Sequence, residues 1–163
     1  MRILGVDPGL GITGYGVIEA SGIRSIRLVE AGIITSSSRE PLAQRLARIY
    51  KGIQGIVREF KPADIILEEL YSHYKHHMTA IAMAHARGVI ALTAAEDSQL
   101  KLVHYPAKRV KKALTGNGNA SKQQVQRTVQ GLLGLKKLPQ PADVSDALAL
   151  AIAHVYITQG PLR

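Results

Sequence analysis

Apolar residues recur in several rhythms along this chain, and each rhythm predicts an element. Arg2 to Asp7 carries the compact run Ile3-Leu4-Gly5-Val6 and reads as a buried strand. Pro8-Gly9 breaks it, and Gly9, Gly11 and Gly14 predict a flexible turn. Gly14 to Ala20 and Ile23 to Ser36 predict two more strands, with a tight turn at Ser21-Gly22. Three strands with short links imply an antiparallel meander. From Pro41 to Phe60 the rhythm becomes helical, with Leu42, Leu46, Ile49, Ile53, Ile56, Val57 and Phe60 at spacings that share one face. Lys61-Pro62 ends that helix.

Ala63 to Leu70 holds Ile65-Ile66-Leu67, apolar on both faces, as a central parallel strand does. Tyr71 to His77 is polar and aromatic and predicts a loop. Met78 to Glu96 predicts a helix apolar over much of its circumference, buried in the domain or against a second subunit. Leu100 to Tyr105 predicts a fifth strand, and Pro106 to Leu114 a short helix with proline in its first turn. Ser121 is placed to cap a helix reaching about Leu133, and Asp143 to start a final apolar helix to about Thr158. Strand and helix segments in this order predict an α/β fold, a mixed five-stranded sheet flanked by helices. No linker interrupts it, so residues 1–163 read as one domain.

Composition narrows the function. The core is aliphatic, because Trp is absent and Phe occurs once. A net charge of +9 favours polyanionic partners such as nucleic acid. With no cysteine there are no disulfides and no thiolate metal sites, which fits a reducing compartment. No run of 18 apolar residues predicts a membrane span, and the first residues lack a signal-peptide pattern. The expected location is cytoplasmic, with no membrane partner.

Against that basic background four carboxylates stand out. Asp7 ends the first strand, where a turn's own N–H groups could satisfy it. Glu68 and Glu69 end the Ile-Ile-Leu strand; adjacent strand residues face opposite sides, so at most one joins a given site. Asp143 and Asp146, three apart, share a helix face. They resemble a capping box, yet a helix N-terminus also keeps carboxylates ionised and ready for a hard cation. Oxygen-only ligands suit Mg²⁺ or Mn²⁺. Two such ions can activate water and stabilise the leaving oxygen of a phosphodiester. Lys108, Arg109, Lys111 and Lys112 crowd one short helix, and Lys122 follows the Gly116-Asn117-Gly118 loop. Such a loop offers a phosphate seat. Tyr71 and Tyr74 could stack on bases or simply pack, and Lys75 beside them is a candidate DNA contact. His73, His76 and His77 match no zinc spacing.

These motifs together resemble the RuvC family of Holliday-junction resolvases, which have a ribonuclease H-like fold. The resemblance spans nearly the whole chain. It is carried by Gly5-Val6-Asp7-Pro8-Gly9 with Thr13-Gly14-Tyr15-Gly16, by Ile66-Leu67-Glu68-Glu69, by Ala86-Arg87-Gly88, by Val110-Lys111, by Gly116 to Lys122, and by Ala142-Asp143 with Asp146-Ala147-Leu148-Ala149. It implies that Glu68 rather than Glu69 is catalytic, with Asp7, Asp143 and Asp146, around two Mg²⁺ or Mn²⁺ ions. It implies that Lys122 and Lys111 lie near the catalytic centre and that Tyr71 stacks on a base. The loop from Tyr71 to Met78 is about one residue longer than in some relatives and is rich in His. Some relatives carry His where Asp143 stands. The implied activity is paired symmetric nicking of a four-way DNA junction by a homodimer, leaving 5′-phosphate and 3′-hydroxyl ends. The implied partner is a branch-migration complex of the RuvA–RuvB type.

Two rivals are distinguishable. An actin-like ATPase shares the strand–Asp–x–Gly motif but needs two lobes around its nucleotide. A purely DNA-binding module would have no reason to gather four acids against a +9 background.

Overall fold

The computed structural model describes residues 1–69 and 77–160. Arg2–Asp7 (β1), Ile12–Gly22 (β2) and Ser25–Thr35 (β3) form the antiparallel meander. Leu42–Phe60 (α1) leads to Asp64–Glu68 (β4), and His77–Ala95 (α2) leads to Lys101–Tyr105 (β5). Ala107–Thr115 (α3), Lys122–Leu132 (α4) and Ala142–Gln159 (α5) complete the chain's elements. Strand order is β3-β2-β1-β4-β5, with β4 parallel to both β1 and β5. The mixed five-stranded sheet is as expected, and the Ile65-Ile66-Leu67 strand lies inside it.

Alternation along the strands divides the core in two. Ile3, Ile18 and Ile66 point to one face and pack with α3, α4 and α5. Leu4, Val6, Val17, Ile65 and Leu67 point to the other and pack with α1 and α2. The sheet is therefore sandwiched between two helical layers.

Local signals mislead at several points. Gly14 is not part of the turn after Asp7; it lies within β2, paired with Asp7 itself. Its lack of a side chain serves packing, because a Cβ there would overlap the Asp143 carbonyl and lie 2.8 Å from the Asp143 Cβ. Gly5 plays the same part, since its Cβ would overlap the Ala147 carbonyl and lie 2.9 Å from the Ala151 nitrogen. These two positions let the α5 backbone lie directly on β1 and β2. The β2–β3 turn falls on Ile23-Arg24, because the ladder continues to the Gly22–Ser25 pair and outweighs the local turn preference of Ser21-Gly22. Asp143 is not a cap. Pro141, in extended conformation, occupies that place without a side-chain bond, and Asp143 falls inside the first turn of α5. Ser121 does form the predicted cap, in a reciprocal capping box with Gln124.

The expected burial of α2 is only half met. Ala86, Ile90 and Ala94 pack on the sheet, while Met78, Ile81 and Leu92 are exposed. Met78–Ala95 is long and apolar enough to cross a membrane by length and composition alone, but one face of it is fixed to the sheet.

A buried polar cluster joins α5 to the far strands. His154 Nδ1 lies 2.9 Å from the Tyr105 hydroxyl, and Nε2 lies 3.4 Å from Asp64. Burial lowers the His154 pKa, so the ring is neutral near pH 7. The Arg109 guanidinium lies 5.2 Å from the centre of the Tyr105 ring. The basic helix α3 thus starts from a strand end anchored on α5.

The close contact of α5 with the sheet generates a stability prediction. Gly5→Ala should cost several kcal/mol, above the ~1–3 kcal/mol usual for overpacking, because the obstacle is backbone. Gly11→Ala, with nothing near its Cβ, should stay within about 0.5 kcal/mol of the parent. Urea unfolding of both variants measures the contrast.

Candidate active site

Strand register decides which glutamate joins Asp7. β1 and β4 run parallel with Gly5 opposite Ile66. Continued by two residues, that register sets Asp7 beside Glu68 at the same sheet edge. Gly5 and Ile66 both face α5, and two residues on each strand the same face recurs. Asp7 and Glu68 therefore share the α5 side. Glu69 falls on the opposite parity, its backbone N–H donating to the Tyr105 carbonyl, although it also lines the cavity that Asp7 and Glu68 share. Beyond Asp7 the turn is held by Thr13, whose buried hydroxyl donates to the Gly9 carbonyl at 2.7 Å.

From above, α5 brings the other two acids. Its first turns lie over β1 and β2 because Gly5 and Gly14 permit it. Asp7, Glu68, Asp146, Lys111 and Lys122 consequently line one cavity of about 360 Å³. Asp143 faces an adjoining cavity that shares Asp7. Lys122, the first residue of α4, donates from Nζ to Asp146 at 2.6 Å. That bond raises the Lys122 pKa, so the ammonium is firmly charged.

The electrostatics mark Asp7 as the centre. Its pKa is raised from 3.8 to about 7, first by burial and then by the charges of Asp146, Asp143 and Glu68. Glu68 is raised as well, by desolvation in the cleft and then by Asp146, with Lys111, Arg87 and Lys122 opposing. Like charges converging on one group favour either a bound proton or a cation there. The donors are all carboxylate oxygens, which fits a hard divalent ion. As the side chains stand, no three acids or histidines among the described residues close to ligating distance, and Lys122 supplies the counter-charge at Asp146.

Other expected residues divide plainly. Lys108, Arg109 and Lys112 are exposed on α3, outside both cavities. Gly116 is the left-handed C-cap of α3, and the Asn117 side chain accepts the Asn119 N–H; both serve the loop's own geometry. Tyr71, Tyr74 and Lys75, with His73 and His76, lie outside the described residues. Two charged residues of this cavity, Glu69 and Arg87, had no place among the expected site residues. Arg87 on α2 lines the cavity and donates to the Glu68 carbonyl. Its signal was a lone cation within an otherwise apolar stretch.

The family model described as crossover junction endodeoxyribonuclease RuvC matches residues 3–154. The RuvC of Rhodopirellula baltica is 44% identical over 98% of this chain and 89% of its own length. That of Moorella thermoacetica is 46% identical over 94% of this chain and 90% of its own. Thermus thermophilus RuvC, solved in complex with a Holliday junction substrate, superposes with a TM-score of 0.92 at 32% identity, covering 98% of this chain and 95% of that one. The yeast mitochondrial resolvase, at 12% identity and a TM-score of 0.67, shares the fold.

A raised carboxyl pKa has a definite sign in stability. The folded state holds the Asp7 proton at pH values where the unfolded chain has lost it. Its ionisation therefore destabilises the metal-free fold fully above about pH 7, and the loss is recovered as pH falls toward 3.8. At ~1.4 kcal/mol per pKa unit, the cost at pH 8 is at most about 4 kcal/mol. Asp7→Asn should raise the melting temperature of metal-free protein at pH 8, with the gain shrinking by pH 5. Calorimetry in chelator across that range checks it.

Proposed function

The chain belongs to the RuvC family of crossover junction endodeoxyribonucleases, and from that premise we propose how its own residues perform junction resolution. It is an endonuclease that acts on Holliday junctions in DNA recombination and repair. The observation that carries the detailed reading is the convergence of three carboxylate charges on the buried Asp7, beside two lysines, in a chain of net charge +9.

Asp7, Glu68, Asp143 and Asp146 would hold two Mg²⁺ or Mn²⁺ ions. Bound there, the ions would supply Lewis-acid activation of water and of the scissile phosphate. The protein's part is placement. β1 and β4 fix Asp7 and Glu68 at one edge, and the first turn of α5 favours the charge of Asp143 through its dipole. Lys122 orients Asp146 and offsets charge developing on the phosphoryl oxygens. Lys111 and Arg87 attract the backbone, and Lys108, Arg109 and Lys112 extend the basic surface along α3. Gly116 and Asn117 would offer backbone to a phosphate, and Tyr71, Tyr74 and Lys75 would meet bases and phosphate near the cut. The products would be 5′-phosphate and 3′-hydroxyl ends.

Symmetric nicking of opposed strands calls for two copies. The exposed face of α2, with Met78, Ile81 and Leu92, supports α2 as the homodimer contact. We place the enzyme in the cytoplasm, working with a RuvA–RuvB-type branch-migration complex; family membership supports that partnership.

Two outcomes test this. Asp7→Asn should bind a synthetic four-way junction like the parent yet lose at least about 10²-fold in cleavage rate; cutting near the parent rate with Mg²⁺ present would end the reading. Ile81→Glu should convert the dimer to monomer in sedimentation, through a charge buried in an apolar contact. A variant that stays dimeric moves the interface elsewhere.

A further inference from the structure

Asp7 sits where two cavities meet. The first holds Lys111 and Lys122; the second opens on the other side, and both share Asp7, Pro8 and Met83. The second, about 520 Å³, lies between the turn after β1, the start of α1 and the start of α2. Leu10, Ile12, Met78 and Ala82 give it apolar walls. Asp7 and Asp143 contribute negative charge, so a phosphate entering would be repelled unless a cation met it. Among the described residues lining this groove, Arg45 is the only cation.

Arg45 is half-buried and held in place. Its Nε donates to the Ser36 hydroxyl at 3.0 Å, and that hydroxyl donates to the Leu10 carbonyl at 2.5 Å. The tether uses one nitrogen, so the guanidinium keeps a pair of terminal nitrogens for a ligand. No carboxylate among the described residues forms an ion pair with it; the nearby Glu40, whose charge it feels, is paired with Arg48 instead. Fixing an arginine beforehand reduces the ordering cost of binding.

We propose that this groove is a nucleotide subsite of the substrate strand, in which Arg45 holds a phosphate adjacent to the scissile one. Apolar walls take the sugar and base, and the strand passes over Asp7 from the lysine-lined cavity into the groove. Cations then flank the acidic centre on both sides. Ser36 is a positioning residue, acting through Arg45. The proposal rests on the nuclease reading above and adds a contact to it.

The test is a chemical cycle on synthetic four-way junctions cut in a single turnover with Mg²⁺. A neutral methylphosphonate replaces the phosphate on the 5′ or the 3′ side of the scissile one. For the unaltered enzyme, one of these replacements should slow cleavage about tenfold. Arg45→Gln should slow cleavage of the unmodified junction by a similar factor and lose nothing more on that methylphosphonate. Arg45→Lys, which keeps the charge, should regain part of the sensitivity, and Ser36→Ala should show a smaller loss that is still coupled. If the two losses multiply at both positions, the subsite is wrong while the nuclease reading stands. Should Arg45→Gln fail to fold, the lysine and Ser36 variants decide by the same coupling. An unaltered enzyme that cuts no junction overturns the nuclease reading and this proposal together.

Discussion

A helix backbone resting on a strand backbone is the constraint on which this molecule depends. Two glycines permit it, Gly5 under Ala147 and Ala151, and Gly14 under Asp143. Side chains at those positions would hold α5 off the sheet, and interiors packed at crystal density do not absorb such a displacement. Everything chemical follows from that contact. The same approach that buries Leu148 and Ile152 lowers Asp143 and Asp146 toward the edge where β1 and β4 end.

The acids gathered there are unfavourable to one another, and the fold contains the means of tolerating them. The α5 dipole favours charge in its first turn, Lys122 takes an oxygen of Asp146, and Arg87 is tied to the backbone of Glu68. These supports act on the flanking acids. Asp7 is left as the most strained charge, raised to about 7, and so gains most from a cation. Strongly shifted groups of this kind concentrate at active sites, which supports Asp7 as the centre of the proposed chemistry.

Much of this was legible in the residues themselves. Apolar rhythm located the five strands and the main helices, because alternation and helical spacing are set by the same burial that forms the core. Periodicity could not choose Glu68 over Glu69; the family motif implied Glu68, and the offset between two parallel strands, a relation between distant segments, places it on the Asp7 side. The role of Gly14 was hidden for a similar reason. Beside Gly9 and Gly11 it looks like one more turn residue, and only the helix above it gives the absent side chain a purpose. Asp143 resembled a cap because another acid follows three residues later, yet Pro141 takes that place. Nothing around Arg45 in the sequence singles it out, since its tether to Ser36 and Leu10 spans separate elements.

The separation of these residues along the chain has a consequence for biosynthesis. Asp7 leaves the ribosome early, while Asp146 belongs to the last helix, α5, which fills one whole layer of the core. Contacts so far apart in sequence form late and slowly. A nascent chain without α5 has β1 and its aspartate but nothing to complete the centre. Under the proposed assignment, cutting ability arises only with the finished fold, and a partly made copy is harmless to DNA.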